Sequence, residues 1–179
     1  MTLAFKTPLA DHAPALRHAM RHMAGGVSVI TVGTGADRTG LTVTTATSLS
    51  MEPPTMLICV NRSASAWPII RSHGHFAVNI VSADQSDVAA RFAGRNGVKG
   101  AARYHGADWD TLGSGVAGLR GALAVIECAV EEIIERHSHG IIIGAVLSAT
   151  LGLEATRDPL VYSHGDFTPL RGGERESRS

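Results

Sequence analysis

Apolar and polar residues alternate along this chain in short, β-branched blocks more often than in helical stripes. Val27–Val32, Met56–Val60, Phe76–Val81, Ala122–Val130 and Ile141–Leu147 are compact apolar runs bounded by Gly, Pro, Asn or Ser, the pattern of strands. Leu41–Leu49 is a threonine-dense run that the Pro53-Pro54 turn joins to Met56–Val60. Helical spacing is confined to three segments. The first runs from an Asp11 cap to about Met23, with Pro14 in its first turn and Gly25-Gly26 as its stop. Ser63–His73, with Pro68 limiting its first turn, and Ser86–Ala93 are the others. Gly33–Asp37 predicts a turn, Gly94–Gly118 a long loop pinned by Trp109, and His137–Gly140 the turn of a hairpin. Glu131–Glu135 suits a strand or a helix equally, and Pro159–Ser163 and Phe167–Leu170 supply final short strands. Many strands with hairpin-like connections predict a mainly β protein, a closed or partly closed antiparallel barrel with a few short helices. Residues 12–170 read as one domain, residues 1–11 as an N-terminal arm and 171–179 as a polar, disordered tail.

Composition narrows the function. Sixteen Lys and Arg balance sixteen Asp and Glu, which argues against a general nucleic-acid binder, whose affinity rests on excess positive charge. Cys59 and Cys128 both sit in apolar strand-like runs, as buried reduced thiols do, so a cytoplasmic setting without a disulfide framework is expected. No basic n-region with an apolar run opens the sequence, and no apolar stretch approaches the ~20 residues that span a bilayer. Gly113–Gly118 matches G-x-G-x-x-G, but it follows polar residues and precedes a β-branched run, which is the wrong context for a dinucleotide fingerprint. The nine histidines lack the carboxylate or cysteine company of a metal site: His18 and His22 share a helix face, and His73 and His75 bracket a glycine. His139 differs, because a hairpin turn lets its side chain project into a cleft.

The densest chemistry lies between Thr39 and Ser65. Asn61, Arg62, Ser63 and Ser65 gather an amide, a guanidinium and two hydroxyls where a strand ends and a helix begins, a setting that suits a phosphate. Thr42, Thr44, Thr45 and Thr47 carry ordinary β-propensity, yet beside that cluster they also make a flat, uncharged surface for a planar ring.

The chain resembles the flavin reductase family, the small reductase components of two-component flavin monooxygenases, whose fold is an FMN-binding split β-barrel with Greek-key-like connections. The resemblance is carried by Arg17-His18-Ala19-Met20, Ala24–Thr31, Gly40-Leu41-Thr42, Ser48-Leu49-Ser50, Pro53-Pro54, Phe76–Ile80 and Gln85 with Arg91-Phe92-Ala93. It continues through Ala122-Leu123-Ala124, Glu127-Cys128, Ile143–Val146, Pro159–Tyr162 and Gly165-Asp166-Phe167. It implies an NAD(P)H-dependent reduction of FMN or FAD, hydride passing from the nicotinamide to the flavin, with reduced flavin supplied to a partner monooxygenase or another acceptor. By position, Val43, Thr44, Thr45 and Ala46 would lie along the flavin ring, and Ser48 and Ser50 along the ribityl chain. Asn61, Arg62, Ser63 and Ser65 would surround the phosphate, Phe92 would close one side of the ring, and His139 would serve catalysis on the nicotinamide side. A homodimer is implied, in keeping with the long apolar hairpin from Ala122 to Leu147. The family often has Gly-Asp-His where this chain has His137-Ser138-His139, and a basic residue where it has Asp166. Two further readings are a reductase that retains FMN and passes electrons to ferric chelates, quinones, chromate or a corrinoid, and a non-catalytic flavin-binding module.

Overall fold

A computed structural model describes residues 12–95, 97–153 and 157–170. The proposed arm, the Asp11 cap and the tail lie outside these. Helix α1 spans Ala13–Met20, shorter than its apolar spacing predicts, with His12 at its N-cap and Pro14 in the first turn. Strands β1 (Gly25–Gly26) and β2 (Ser28–Val32) follow. The threonine-dense run is two strands, β3 (Thr39–Val43) and β4 (Thr47–Met51), where one was expected. β5 (Pro54–Asn61), α2 (Ala66–His73), β6 (His75–Ile80) and α3 (Ser86–Phe92) come next. The long loop contains a one-turn helix at Gly100–Tyr104 and the small pair β7 (Trp109–Thr111) and β8 (Ala117–Leu119). β9 (Ala124–Arg136) and β10 (His139–Leu151) form the hairpin, which settles Glu131–Glu135 as strand, and β11 (Leu160–Ser163) and β12 (Asp166–Pro169) close the chain.

Seven strands pair antiparallel in the order β3-β2-β6-β9-β10-β5-β4, so β3 and β4 are the two edges of one sheet. Only Thr44, Thr45 and Ala46 separate these edges along the chain. Four Cα steps of 3.8 Å span at most ~15 Å, whereas six strand spacings of ~4.8 Å would hold the edges of a flat sheet ~29 Å apart. The sheet therefore curls until its edges meet at Thr44–Ala46, which makes a barrel split at that connection.

Two cores explain the sequence pattern. Ile30, Val32, Met56, Ile58, Val60, Phe76, Val78, Cys128 and Ile142 fill the barrel, and Trp67 and Ile70 of α2 plug it. Gly140 admits that plug, because a Cβ there would run into the Trp67 ring. Outside the barrel, Val27 and Val29 pack with Val88, Ala89 and Phe92 of α3 and with Tyr104, Leu119 and Leu160. β2 is buried on both faces, its polar Ser28 and Thr31 included, so no exposed polar positions alternate along it, and the Thr31 hydroxyl donates to Ala117 O. The G-x-G-x-x-G segment opens no helix. It is the turn from β7 into the first residues of β8, held where the buried Glu127 carboxylate accepts the Ser114 N–H at 2.6 Å and the Ser148 hydroxyl at 3.2 Å.

Candidate active site

β5 and the turn after it position the polar cluster. Asn61 Oδ1 accepts the Ser63 N–H at 2.9 Å and the Ser63 hydroxyl at 2.8 Å, a side-chain turn that folds the chain back before α2. Across from it, the two-residue turn between β9 and β10 places His137 in the left-handed region (φ 49°). Arg62 bridges the two turns: its backbone N–H donates to Ser138 O at 2.9 Å and its Nη1 to His137 O at 3.2 Å, while Nη2 pairs with Glu135 at 2.9 Å. Asn61, Arg62, Ser63, Trp67, His137 and Ser138 line an open concavity of about 480 Å³. Ser65 is not among them. It stands at the N-cap position of α2 without bonding the helix backbone, and its hydroxyl meets the Thr39 hydroxyl at 3.3 Å. Pro68 also removes one first-turn N–H from α2, so side chains supply most of the donors that an anion would find here.

His139 lies directly opposite Asn61 in the β10–β5 register, and its Nδ1 sits 2.9 Å from the Ser138 hydroxyl. Ser138 thus takes the orienting place that an acidic neighbour would fill. Directly opposed residues share a sheet face, so within one chain His139 stands beside Asn61.

The Thr44–Ala46 connection runs from this region to a second pocket. Thr45 Oγ1 accepts the Cys59 N–H at 3.1 Å, which fastens the connection to β5. Ala46 packs on the barrel core, and Thr44 is exposed. Ser48 and Ser50 follow on β4, where Ser50 Oγ accepts the Glu52 N–H at 3.1 Å. Beyond Thr44, a pocket of about 260 Å³ is lined by Thr42, Val43, Thr44, Ala93, Arg95, Tyr162 and Phe167. Phe92, expected to close one side of a ring, does not reach it. The Phe92 side chain is 1% exposed, packed on Tyr104 and Trp109 at ring distances of 5.1 and 5.5 Å. Its ring backs β3 through Gly40, where a Cβ would meet it at 2.6 Å. Arg95, Tyr162 and Phe167 escaped sequence reasoning as site residues, although Gly165-Asp166-Phe167 marked the hairpin that brings them in. Among the described residues, no group of three or more His, Cys, Asp or Glu is placed to hold a metal.

A split barrel whose uncharged Thr44–Ala46 connection lies between an arginine-and-hydroxyl cluster and an aromatic pocket defines a class. The flavin reductase like domain matches residues 20–171, and the chain belongs to that family. Among its relatives is the FMN reductase (NADH) RutF 2 of Methylorubrum extorquens (strain PA1), 38% identical over 172 residues, covering 95% of this chain and 96% of that protein. The fold is also that of BorF, the flavin reductase component of a bacterial two-component tryptophan halogenase. The two share 33% identity with a TM-score of 0.81, over 90% of this chain and 99% of BorF. The NADH:FAD oxidoreductase SgcE6 of Streptomyces globisporus C-1027, solved with NAD and FAD fragments, gives a TM-score of 0.80 at 30% identity. That match covers 94% of this chain and 99% of SgcE6.

Proposed function

We propose that this protein is an NADH-dependent flavin reductase that supplies reduced flavin to a partner monooxygenase or another acceptor. The observation that carries the reading is the split itself. Two sheet edges meet at Thr44–Ala46 and leave backbone and hydroxyls, without a charge, between an anion-suited cluster and an aromatic pocket. Those residues fit a flavin: Val43–Ala46 lie along its ring, Ser48 and Ser50 on its polyol chain, and Asn61, Arg62 and Ser63 at its phosphate. Ser65 supports the last group from the α2 cap. The flavin ring accepts a hydride and so carries the hard chemistry. The protein binds and orients the two ring systems and keeps water from between them. His139 belongs to the phosphate end of this arrangement. Free Cys59 and Cys128 suit a cytoplasmic setting.

We also infer a homodimer. Leu49 and Met51 on β4 and Leu147 on β10 are 51%, 76% and 53% exposed, on the strands either side of β5 and close to the ring seat.

Anaerobic addition of NADH to the protein with FMN tests the function. Flavin absorbance near 450 nm is expected to bleach rapidly, and faster with NADH than with NADPH. A flavin that binds but stays oxidised would identify a binding module instead.

A further inference from the structure

The pocket beyond Thr44 has one charged residue in its lining, Arg95, and the surrounding hairpin holds that charge in place. Arg95 lies 4.4 Å above the centroid of the Phe167 ring, its Nη1 donates to Asp166 Oδ1 at 3.1 Å and its Nη2 to Gly165 O at 3.4 Å. The Asp166 oxygen also accepts the Phe167 N–H at 2.8 Å, and Arg95 holds that carboxyl below the usual carboxylate range. On its other side the same turn is tied to α1, His164 N–H donating to Arg21 O at 2.8 Å. Tyr162 packs against Phe167 at 5.6 Å and completes an aromatic wall. The guanidinium is therefore preorganised, and its two bonds to the turn use two of its five N–H groups.

The pocket's 260 Å³ is below the ~300–1,000 Å³ of a site for a whole drug-sized ligand, so it houses one ring and leaves the rest of a larger molecule at the rim. Arg95, with its side chain 41% exposed, stands at that rim. Because Val43 and Thr44 belong to this pocket and to the flavin ring seat, an occupant lies against the flavin. A flat ring with a nearby anionic group, placed beside an electron-accepting ring, is the chemistry of a pyridine dinucleotide. We propose that Arg95, held on Phe167 by Asp166, is a donor-binding residue of this site and grips the diphosphate of the dinucleotide whose nicotinamide enters the pocket beside Thr44. The inference rests on the flavin reductase reading.

The test compares NADH with reduced nicotinamide riboside, which carries the same hydride but no diphosphate, using the full chain and saturating FMN. Arg95→Gln is expected to raise KM for NADH at least tenfold with kcat within about twofold, and to leave KM for the riboside unchanged. Arg95→Lys should recover part of the loss, because it keeps the charge without the forked geometry. Unchanged NADH kinetics, or equal losses for both donors, would overturn the assignment and leave Arg95 as a support for the aromatic wall. Calorimetric titration with ADP provides a readout independent of turnover. Binding by the wild type that Arg95→Gln weakens at least tenfold supports the inference even if no flavin is reduced, an outcome that would remove only the reductase reading. Absence of ADP binding to the wild type would overturn the inference.

Discussion

In the proposed flavin site Arg62 is the residue assigned to the phosphate, and it does not act unopposed. Its guanidinium is shared between Glu135 and the His137 carbonyl, so an incoming phosphate competes with an existing, solvent-exposed ion pair. A charge-assisted bond to phosphate contributes ~1.5–3 kcal/mol, and the competing pair brings the net to the lower end of that range. Arg62→Ala should weaken FMN by about tenfold and riboflavin much less, as read by quenching of flavin fluorescence. Glu135→Gln should act in the opposite direction and tighten FMN, since it frees the guanidinium. Loss of affinity in both variants would show that the pair as a whole, not Arg62 alone, shapes the seat. His139 lies opposite Asn61, and the proposed function assigns it to the same end of the site. His139→Ala is expected to weaken FMN by about threefold to tenfold, ~0.7–1.4 kcal/mol, with little change in KM for NADH. A reversed pattern in stopped-flow reduction, normal FMN affinity with slow hydride transfer, would return His139 to the donor side.

At the scale of elements, one buried carboxylate joins three pieces of chain. Glu127 on β9 is 5% exposed and holds the Ser114 turn and Ser148 of β10 together. Burial alone would raise its carboxyl, but the hydrogen bonds from Ser114 and Ser148 outweigh burial and lower it below the usual carboxylate value. A carboxyl with a depressed folded value stabilises the fold above its unfolded value, and that contribution is lost as pH falls through the folded one. Glu127→Gln should therefore cost about 1.5–3 kcal/mol at pH 7, the range for hydrogen bonds to a charged group. The gap from wild type should narrow steadily below pH 4 in urea denaturation. A gap independent of pH would place the effect in packing, not charge. The neighbouring Cys128 thiol, pushed up to about 12 by burial, stays protonated throughout and acts as a small core hydrophobe.

For the molecule as a whole, closure of the barrel leaves large apolar side chains in solvent on β4 and β10. Stable obligate interfaces bury more than ~2,000 Å² and are richer in apolar surface than ordinary ones. Sedimentation velocity at micromolar concentration should show a dimer. Met51→Asp should shift it toward monomer and weaken FMN in parallel, because β4 begins at the ring seat. A wild-type monomer with full flavin affinity would remove the dimer from the account.

The segments that became β2, β5, β6, β9 and β10, the hairpin at His137-Ser138 and the Asn61–Ser63 cluster were legible in the chain, because each depends on residues close in sequence: β-branched runs between breakers, turn chemistry, a side chain folding onto its own backbone. β2 was legible in the first of these ways, since its β-branched Val29, Ile30, Thr31 and Val32 stand together after Gly25-Gly26. The break at Thr44–Ala46 was not. Threonine suits either side of it equally, and the interruption exists only because a seven-stranded sheet must curl to bring its edges within reach of three residues. The same distance in sequence hid Glu135 opposite Arg62, placed Phe92 beneath β3 instead of against a ligand, and seated Arg95 on Phe167. Local periodicity determined which segments became strands. Closure of the sheet, a long-range constraint with no local signature, decided which side chains face one another across the site.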